Sequence, residues 1–526
     1  MDSSMDIQSL LAKIEKKNLI LFLLFTAFGL VVYSGFYLYE LPNPDAIWNG
    51  VYFKSDWKWE AGLGRYMIRV FLWMFSNMIH PSVFTIISIL ILAAICVIIT
   101  DIFSLEGIGA LLGGMILIVS PAVVGTLSYY YCGLSYFIAY FFAVLTTWII
   151  CKKKTILAAV LGIILLCLSL ATYQAYIGIV VIVSLLYLIL LFLENNSSGR
   201  EIVERIVYMM FTVGGGVVAY LVSNTIIQNR WGIGAEESRG FSQMGQIPAS
   251  QIVQLIRNCY TYSYEYFFST EMINNTYGMR KLLNGICLLL LVSLLLYRIM
   301  KLKGKLPVQL MATGGILLIP IALMSITVVA WGVNIYDTTG SIMLPGMNCI
   351  YIFLLCLIKD KKKNIIDFFL GIGSYVSIIL IGFSLFILVL SAQTYHKISM
   401  NRMDHISKSI LNRIDGVVDD SDSYEICIIG QAKNGNFPEQ YPELLDSLHW
   451  LTASYGTTWG NYFADLECYR NYFQQYCGRL YHRCPIETYY EIVESDFYHE
   501  MGVFPDSDSI AVYQDSVIVI NLSYVK

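Results

Sequence analysis

The chain has little charge. Lys, Arg, Asp and Glu make up 14% of its 526 residues, against about 25% in soluble domains. With 57% of the residues hydrophobic, one soluble core is excluded, and the composition is that of a polytopic membrane protein. Histidine is scarcer still: there are six, they form no ligand cluster, and no CxxC pair occurs. No metal or other cofactor is therefore expected. The sequence also lacks a nucleophile elbow, a phosphate loop, an internal repeat, a low-complexity tract and a heptad run. The first apolar stretch is long and ends in YSGFYLYE. It lacks the short apolar region and small-residue cleavage site of a signal peptide, and reads as a retained span.

The charges present are segregated. Nineteen of the 38 acidic residues lie from position 400 onward, with only eight Lys or Arg beside them. The tail is an acidic soluble unit, and nucleic acid is not an expected partner. Of the twelve cysteines, seven fall in or beside apolar spans, where Cys acts as a small hydrophobe. Cys427, Cys468, Cys477 and Cys484 lie in the tail.

A span needs about 20 apolar residues to cross the hydrocarbon core. About eleven runs qualify: 18–38, 82–100, 107–126, 133–151, 155–172, 176–193, 206–226, 283–299, 308–330, 342–358 and 366–391. The Lys and Arg residues of the short loops (13–17, 152–154, 200–205, 298–305 and 359–363) then fall on one side, the cytoplasm by the positive-inside rule. The N-terminus is inside. The outer face receives every long polar segment: 39–81, 227–282, the short 331–341 and the tail. The expected fold is an α-helical polytopic membrane domain, 1–391, followed by an extracytoplasmic α/β domain, 392–526.

The first outer loop is the richest in chemistry. Residues 40–69 hold Glu40, Asp45, Asp56, Glu60, Arg65, Arg69, three tryptophans and the turn Gly62-Leu63-Gly64. Charged groups are costly to keep near a bilayer unless they serve a function, and a solvated connector with an interfacial aromatic belt has the same composition, so the loop reads equally as either. Residues 66–80 read as a helix on the membrane surface. The second loop, 227–282, brings Arg230, Arg239 and Arg280, with a helix near 249–268. Three features stand inside the spans. Tyr129-Tyr130-Tyr131 closes the third. Tyr173-Gln174-Ala175-Tyr176 joins the fifth and sixth with almost no loop, as sugar contact or as interfacial anchor. Gly214-Gly215-Gly216 reads as close helix packing. In the tail, 406–414 is amphipathic, 424–430 alternates as a buried strand, 440–500 is Tyr-rich and helical, and 510–513 with 517–521 forms a hairpin around Gln514-Asp515-Ser516. One disulfide is expected, joining Cys468 or Cys477 to Cys484, with Cys427 free.

These groups suit transfer of a sugar carried on a lipid phosphate. A hydroxyl acceptor needs a carboxylate base. The departing phosphate needs cations, and Arg grips it with two donors at once. Carboxylates, a glycine turn and Arg65 follow one another on a single short segment.

The same features resemble the GtrII-type membrane glucosyltransferases, within the GT-C class of glycosyltransferases. Those proteins close an acidic first loop with a Gly-Arg-aromatic element, here Gly64-Arg65-Tyr66. They also carry a mid-chain Tyr-Gln-Ala-aromatic hairpin, here Tyr173 to Tyr176. The likeness covers the first ten spans in layout. Where the family often has an Asp-Asp pair this chain has Asn43-Pro44-Asp45, which makes Asp45 the first choice for the base, ahead of Glu60 and Asp56. Where it often has an arginine opening a late span, this chain has Ser341 to Pro345. The donor phosphate then falls to Arg65, with Arg230, Arg239 or Arg280. Glu60, Tyr173 and Gln174 would contact substrate. The resemblance implies metal-free, inverting transfer of glucose or another hexose from undecaprenyl phosphate to a surface polysaccharide, such as an O-antigen or a teichoic-acid-like glycan. Two rival classes remain: a flippase for lipid-linked oligosaccharides, which would place ionisable groups at mid-span, and a non-catalytic glycan-assembly scaffold.

Overall fold

A computed structural model describes residues 16–50, 57–194, 199–236, 247–269, 278–302, 306–330, 333, 335–336, 340–358, 365–419, 423–430 and 466–523. Asp56, Arg239 and the tail stretch 440–465 lie outside the described residues.

In chain order the helices are α1 (Lys16–Val32), α2 (Ser34–Tyr39), α3 (Pro44–Asn49), α4 (Trp57–Gly62), α5 (Met67–Met74), α6 (Pro81–Ile102), α7 (Gly107–Ile118), α8 (Pro121–Ser128), α9 (Gly133–Lys152), α10 (Ile156–Leu170), α11 (Ile177–Glu194) and α12 (Gly199–Trp231). Then follow α13 (Ile252–Phe268), α14 (Gly278–Lys301), α15 (Leu306–Leu317), α16 (Ile319–Leu323), α17 (Ser325–Val329), α18 (Cys349–Ile358) and α19 (Ile365–Val417). The tail holds β1 (Glu425–Ile429), α20 (Leu466–Cys477), β2 (His482–Arg483), α21 (Ile486–Glu494), α22 (Asp496–Glu500), β3 (Ile510–Tyr513) and β4 (Val517–Asn521).

Among the described residues, six helices are long and apolar enough to cross a membrane, and up to eight spans result if each of two bent pairs counts as one. Helices α10, α15 and α18 are apolar but shorter. The bends have local causes. Pro121 opens α8 and has no N–H to continue α7, so the chain turns by 43° there. The other bend, of 54°, lies beyond Val32. Tyr33 at that break donates its hydroxyl to the carbonyl of Ile118 at the end of α7, tying the two broken spans together.

Small residues set the helix spacing. A Cβ on Gly114 would stand 2.0 Å from the Phe25 ring, and Cβ atoms on Gly215 and Gly216 would stand 2.7 Å from Ile163 and Leu166. The glycine run in α12 is therefore a packing surface against α10, as its composition suggests.

Three of the cationic loops gather at one end of the bundle. Lys17 pairs with Glu106 at 3.0 Å, Lys152 Nζ donates to Ser104 Oγ at 3.1 Å, and Arg205 donates to the carbonyls of Ile150 and Lys153. The first loop, the Tyr129–Tyr131 turn and the tail lie at the other end.

Helix α19 joins the two parts. Its 53 residues extend about 80 Å at 1.5 Å each, far beyond about 30 Å of hydrocarbon. No Gly or Pro falls between Gly382 and Gly416, so nothing stops the helix where it leaves the apolar stretch. The sequence suggests a span and a separate amphipathic segment, and the two form one rod. Gln393 Nε2 donates to Val32 O at 2.8 Å, and His396 Nε2 to Pro42 O at 2.7 Å, which fixes the rod against the first loop. Its far end holds the tail: Arg479 pairs with Asp415, and Arg413 reaches the carbonyls of Pro505 and Asp506.

The tail sheet has the order β2-β1-β4-β3. β1 runs parallel to both neighbours, and β3–β4 is the expected hairpin, with Gln514 and Asp515 both at positive φ as a tight primed turn requires. Alternation along β1 divides the sheet: Ile426 and Ile428 join the main core, while Cys427 and Ile429 pack with Ile492 and Tyr498 of α21 and α22. The expected disulfide is overturned. Cys484 lies against Cys427, in the position after the β1–β2 pair Ile426–Arg483, and its amide donates to Ile426 O. Cys468 instead faces Pro44, on the other side of the tail.

Candidate active site

Asp45 occupies the first turn of α3 and is half-buried. The turn is specified locally. Asn43 caps it by accepting from Ala46 N at 2.9 Å, and Pro44 supplies a pre-set φ at the first helical position. Asn43 itself is fully buried, and its backbone N–H donates to Ser128 O at the end of α8.

Arg65 is aimed by the end of α4. Gly64 has φ 72°, Arg65 N donates to Glu60 O at 2.7 Å, and Gly64 N donates to Ala61 O at 3.0 Å. This is the paired bonding of a Schellman stop, which needs glycine at the left-handed position. It explains why a Gly-Arg pair follows the acidic stretch: the glycine reverses the chain and sends the next side chain inward.

There Arg65 is buried, only 8% exposed. Its Nε donates to Gln174 Oε1 at 3.4 Å, its Nη1 to the Tyr136 hydroxyl at 3.3 Å, and its Cζ stands 4.9 Å from the centre of the Tyr173 ring. Gln174 is fixed in turn: its Nε2 donates to Leu63 O and to the Tyr220 hydroxyl, both at 2.8 Å, and Tyr220 donates to Gly64 O. Met67 N completes the join by donating to Ala171 O. Among the described residues, every side chain that Arg65 bonds is neutral. Burying a charge without an opposite one costs several kcal/mol. The arrangement leaves a buried cation held by neutral partners among the described residues.

Tyrosines build the floor. Tyr136 stacks on Tyr173 at 4.3 Å between ring centres, and Tyr140 on Tyr176 at 5.1 Å. Cys132, beside the Tyr129–Tyr131 turn, stands at the start of α9, and its carbonyl accepts from Tyr136 N at 2.9 Å. The segment 128–136 thus touches the Asp45 helix at one end and Arg65 at the other. A small cavity under the hairpin, lined by Ser120, Thr126, Tyr140, Tyr176, Ile342 and Pro345, has room for about one water. It brings the Ser341–Pro345 stretch beside the same hairpin.

The other expected residues fall as follows. Glu60 is buried at 3% exposure, and its carbonyl takes part in the turn that aims Arg65. Arg230 is exposed at the end of α12, two residues beyond Gln228, whose side chain donates to Ala61 O. Arg280 has separate partners, donating to Ser384 Oγ at 2.9 Å beside Tyr266 and Tyr351. Tyr136, Tyr220 and Cys132 escaped the sequence reading. The spacing of Tyr136 and Tyr140, one turn apart on a helix, is a signal that could have found the stack.

Comparison with known proteins adds the family. No curated protein and no solved structure is significantly similar to this chain. A family profile, Glucosyl transferase GtrII, matches residues 49–343. The match includes Arg65, Gln174 and Tyr220, begins four residues after Asp45, and ends before α19 and the tail. It spans more than half of the chain, and on that match the protein belongs to the GtrII glucosyltransferase family.

Proposed function

We propose that this glycosyltransferase moves a hexose, most simply glucose, from undecaprenyl phosphate to a cell-surface polysaccharide on the outer face of the membrane. The observation that carries the reading is Arg65, a buried arginine among neutral hydrogen-bonding partners at the end of the bundle opposite three of the cationic loops. A lipid phosphate arriving from the membrane would supply the missing anion. Asp45 would take the proton from an acceptor hydroxyl as its oxygen attacks the anomeric carbon. The bond to phosphate breaks on the opposite face, and the phosphate leaves on Arg65. One displacement inverts the anomeric centre, as in the GT-C class, and needs no metal.

In this reading the eleven apolar runs each cross the membrane, the N-terminus is cytoplasmic, and the unit from 392 onward is extracytoplasmic. Arg230 and Arg239 would serve the donor from the second loop. Purified protein in vesicles, given undecaprenyl-phosphate glucose and surface polysaccharide, should release undecaprenyl phosphate and glucosylate the polysaccharide. Movement of the intact donor between leaflets without transfer would support the flippase class in its place.

A further inference from the structure

The tail helix α20 lies directly on α3. Asn471 Nδ2 donates to Trp48 O at 2.7 Å. A Cβ on Gly50 would stand 3.2 Å from Gln475 Nε2 and 3.9 Å from the Asn471 side chain. Trp48 nevertheless keeps 51% of its surface exposed, and Gln474 on the same tail helix is exposed. An exposed indole, the Asn471 and Gln475 side chains at the α3–α20 contact, and Gln474 one turn along α20 from Asn471 thus belong to one junction. An aromatic face takes the C–H face of a sugar ring, and amides both donate to and accept from hydroxyls. The ligand such a site recognises is a neutral saccharide.

Its position says which saccharide. Trp48 follows Asp45 by three residues on one helix, so their side chains are neighbours about 5–6 Å apart at Cβ. A sugar stacked on Trp48 has its hydroxyls beside the carboxylate. The donor's lipid chain must come from the bundle side, toward Arg65, whereas Trp48 is tied to the tail helix through its carbonyl. We propose that Trp48, Asn471, Gln474 and Gln475 form the acceptor-saccharide subsite, so that the C-terminal domain is part of the active site. The inference rests on the transferase reading above and adds the acceptor side to it.

Steady-state transfer from undecaprenyl-phosphate glucose to polysaccharide purified from source cells lacking the protein tests it, using the full chain. Trp48→Ala should raise the acceptor KM about tenfold or more, and Gln474→Ala and Gln475→Ala about threefold to tenfold, with the donor KM within about twofold of wild type. Trp48→Phe, which keeps an aromatic face and guards against a folding defect, should restore most of the acceptor affinity. Unchanged acceptor KM in all three alanine variants, or donor and acceptor KM rising together, overturns the subsite. If the wild-type protein transfers no sugar at all, the transferase reading fails first and the subsite falls with it.

Discussion

Arg65 and Gln174 are 109 positions apart, and the Arg65 Nε donates to Gln174 Oε1 at 3.4 Å. The bond joins the two short elements, Gly-Arg-aromatic and Tyr-Gln-Ala-aromatic, into one structure. Gln174 holds both the Arg65 side chain and, through Leu63 O, the turn that aims it. A neutral amide in that place orients the cation without quenching it.

Gln174→Glu tests that point. A carboxylate there would pair with Arg65 and compete with the donor phosphate. The donor KM should rise about tenfold or more, since an ionic partner must be displaced, while the melting temperature holds or rises. A donor KM that stays at the wild-type value would place the phosphate elsewhere.

Arg65→Lys keeps the charge and loses the planar two-donor grip. Donor binding should weaken by roughly 1–3 kcal/mol, the range for a charged hydrogen bond, with turnover at saturating donor little changed. A side chain that merely reaches lipid headgroups would tolerate lysine, and donor titration curves distinguish the two cases.

Gly64→Ala should cost about 1 kcal/mol of stability, because φ 72° is unfavourable for a residue with a Cβ. It should also weaken donor binding, since the turn aims Arg65. Thermal unfolding and donor titration on the same sample would show both effects, and loss of stability alone would leave the turn purely structural.

In the tail, a hydrogen bond from Cys427 holds the Cys484 thiol below its ordinary range, and that interaction with burial pushes Cys427 up. Mild oxidation with diamide should join Cys427 to Cys484. Peptide mapping that finds Cys484 bridged to Cys468 or Cys477 would contradict the strand register.

Orientation is open to labelling from outside with a membrane-impermeant maleimide, in a cysteine-depleted background. Gln474→Cys should react and Lys153→Cys should be protected. The reverse pattern would place the Asp45 end of the bundle in the cytoplasm.

The sequence revealed the parts of this molecule better than their meetings. The apolar runs were legible because lipid demands them, and each has helix at its place. The β3–β4 hairpin was legible because Gln514 and Asp515 suit a tight turn between two alternating runs. Arg65, Tyr173 and Gln174 stood out singly, but their hydrogen-bonding pattern depends on how α9, α10 and α12 pack. The roof that α20 places over α3 spans more than 400 positions, as in the Asn471–Trp48 bond, and polar side chains leave no periodic trace of such a partner. The cysteine pairing was misread because β2 is only two residues long, too short to announce the strand that carries Cys484 to Cys427.

The central claim is that Asp45 is the base, and the turnover of purified Asp45→Asn at saturating donor and acceptor measures it most directly. The substitution keeps the size of the side chain and removes its charge. A general base contributes about 10²- to 10⁴-fold, so turnover should fall by that factor with donor KM within about twofold of wild type. Transfer at a near wild-type rate would contradict the account and move the base to Glu40, Asp56 or Glu60.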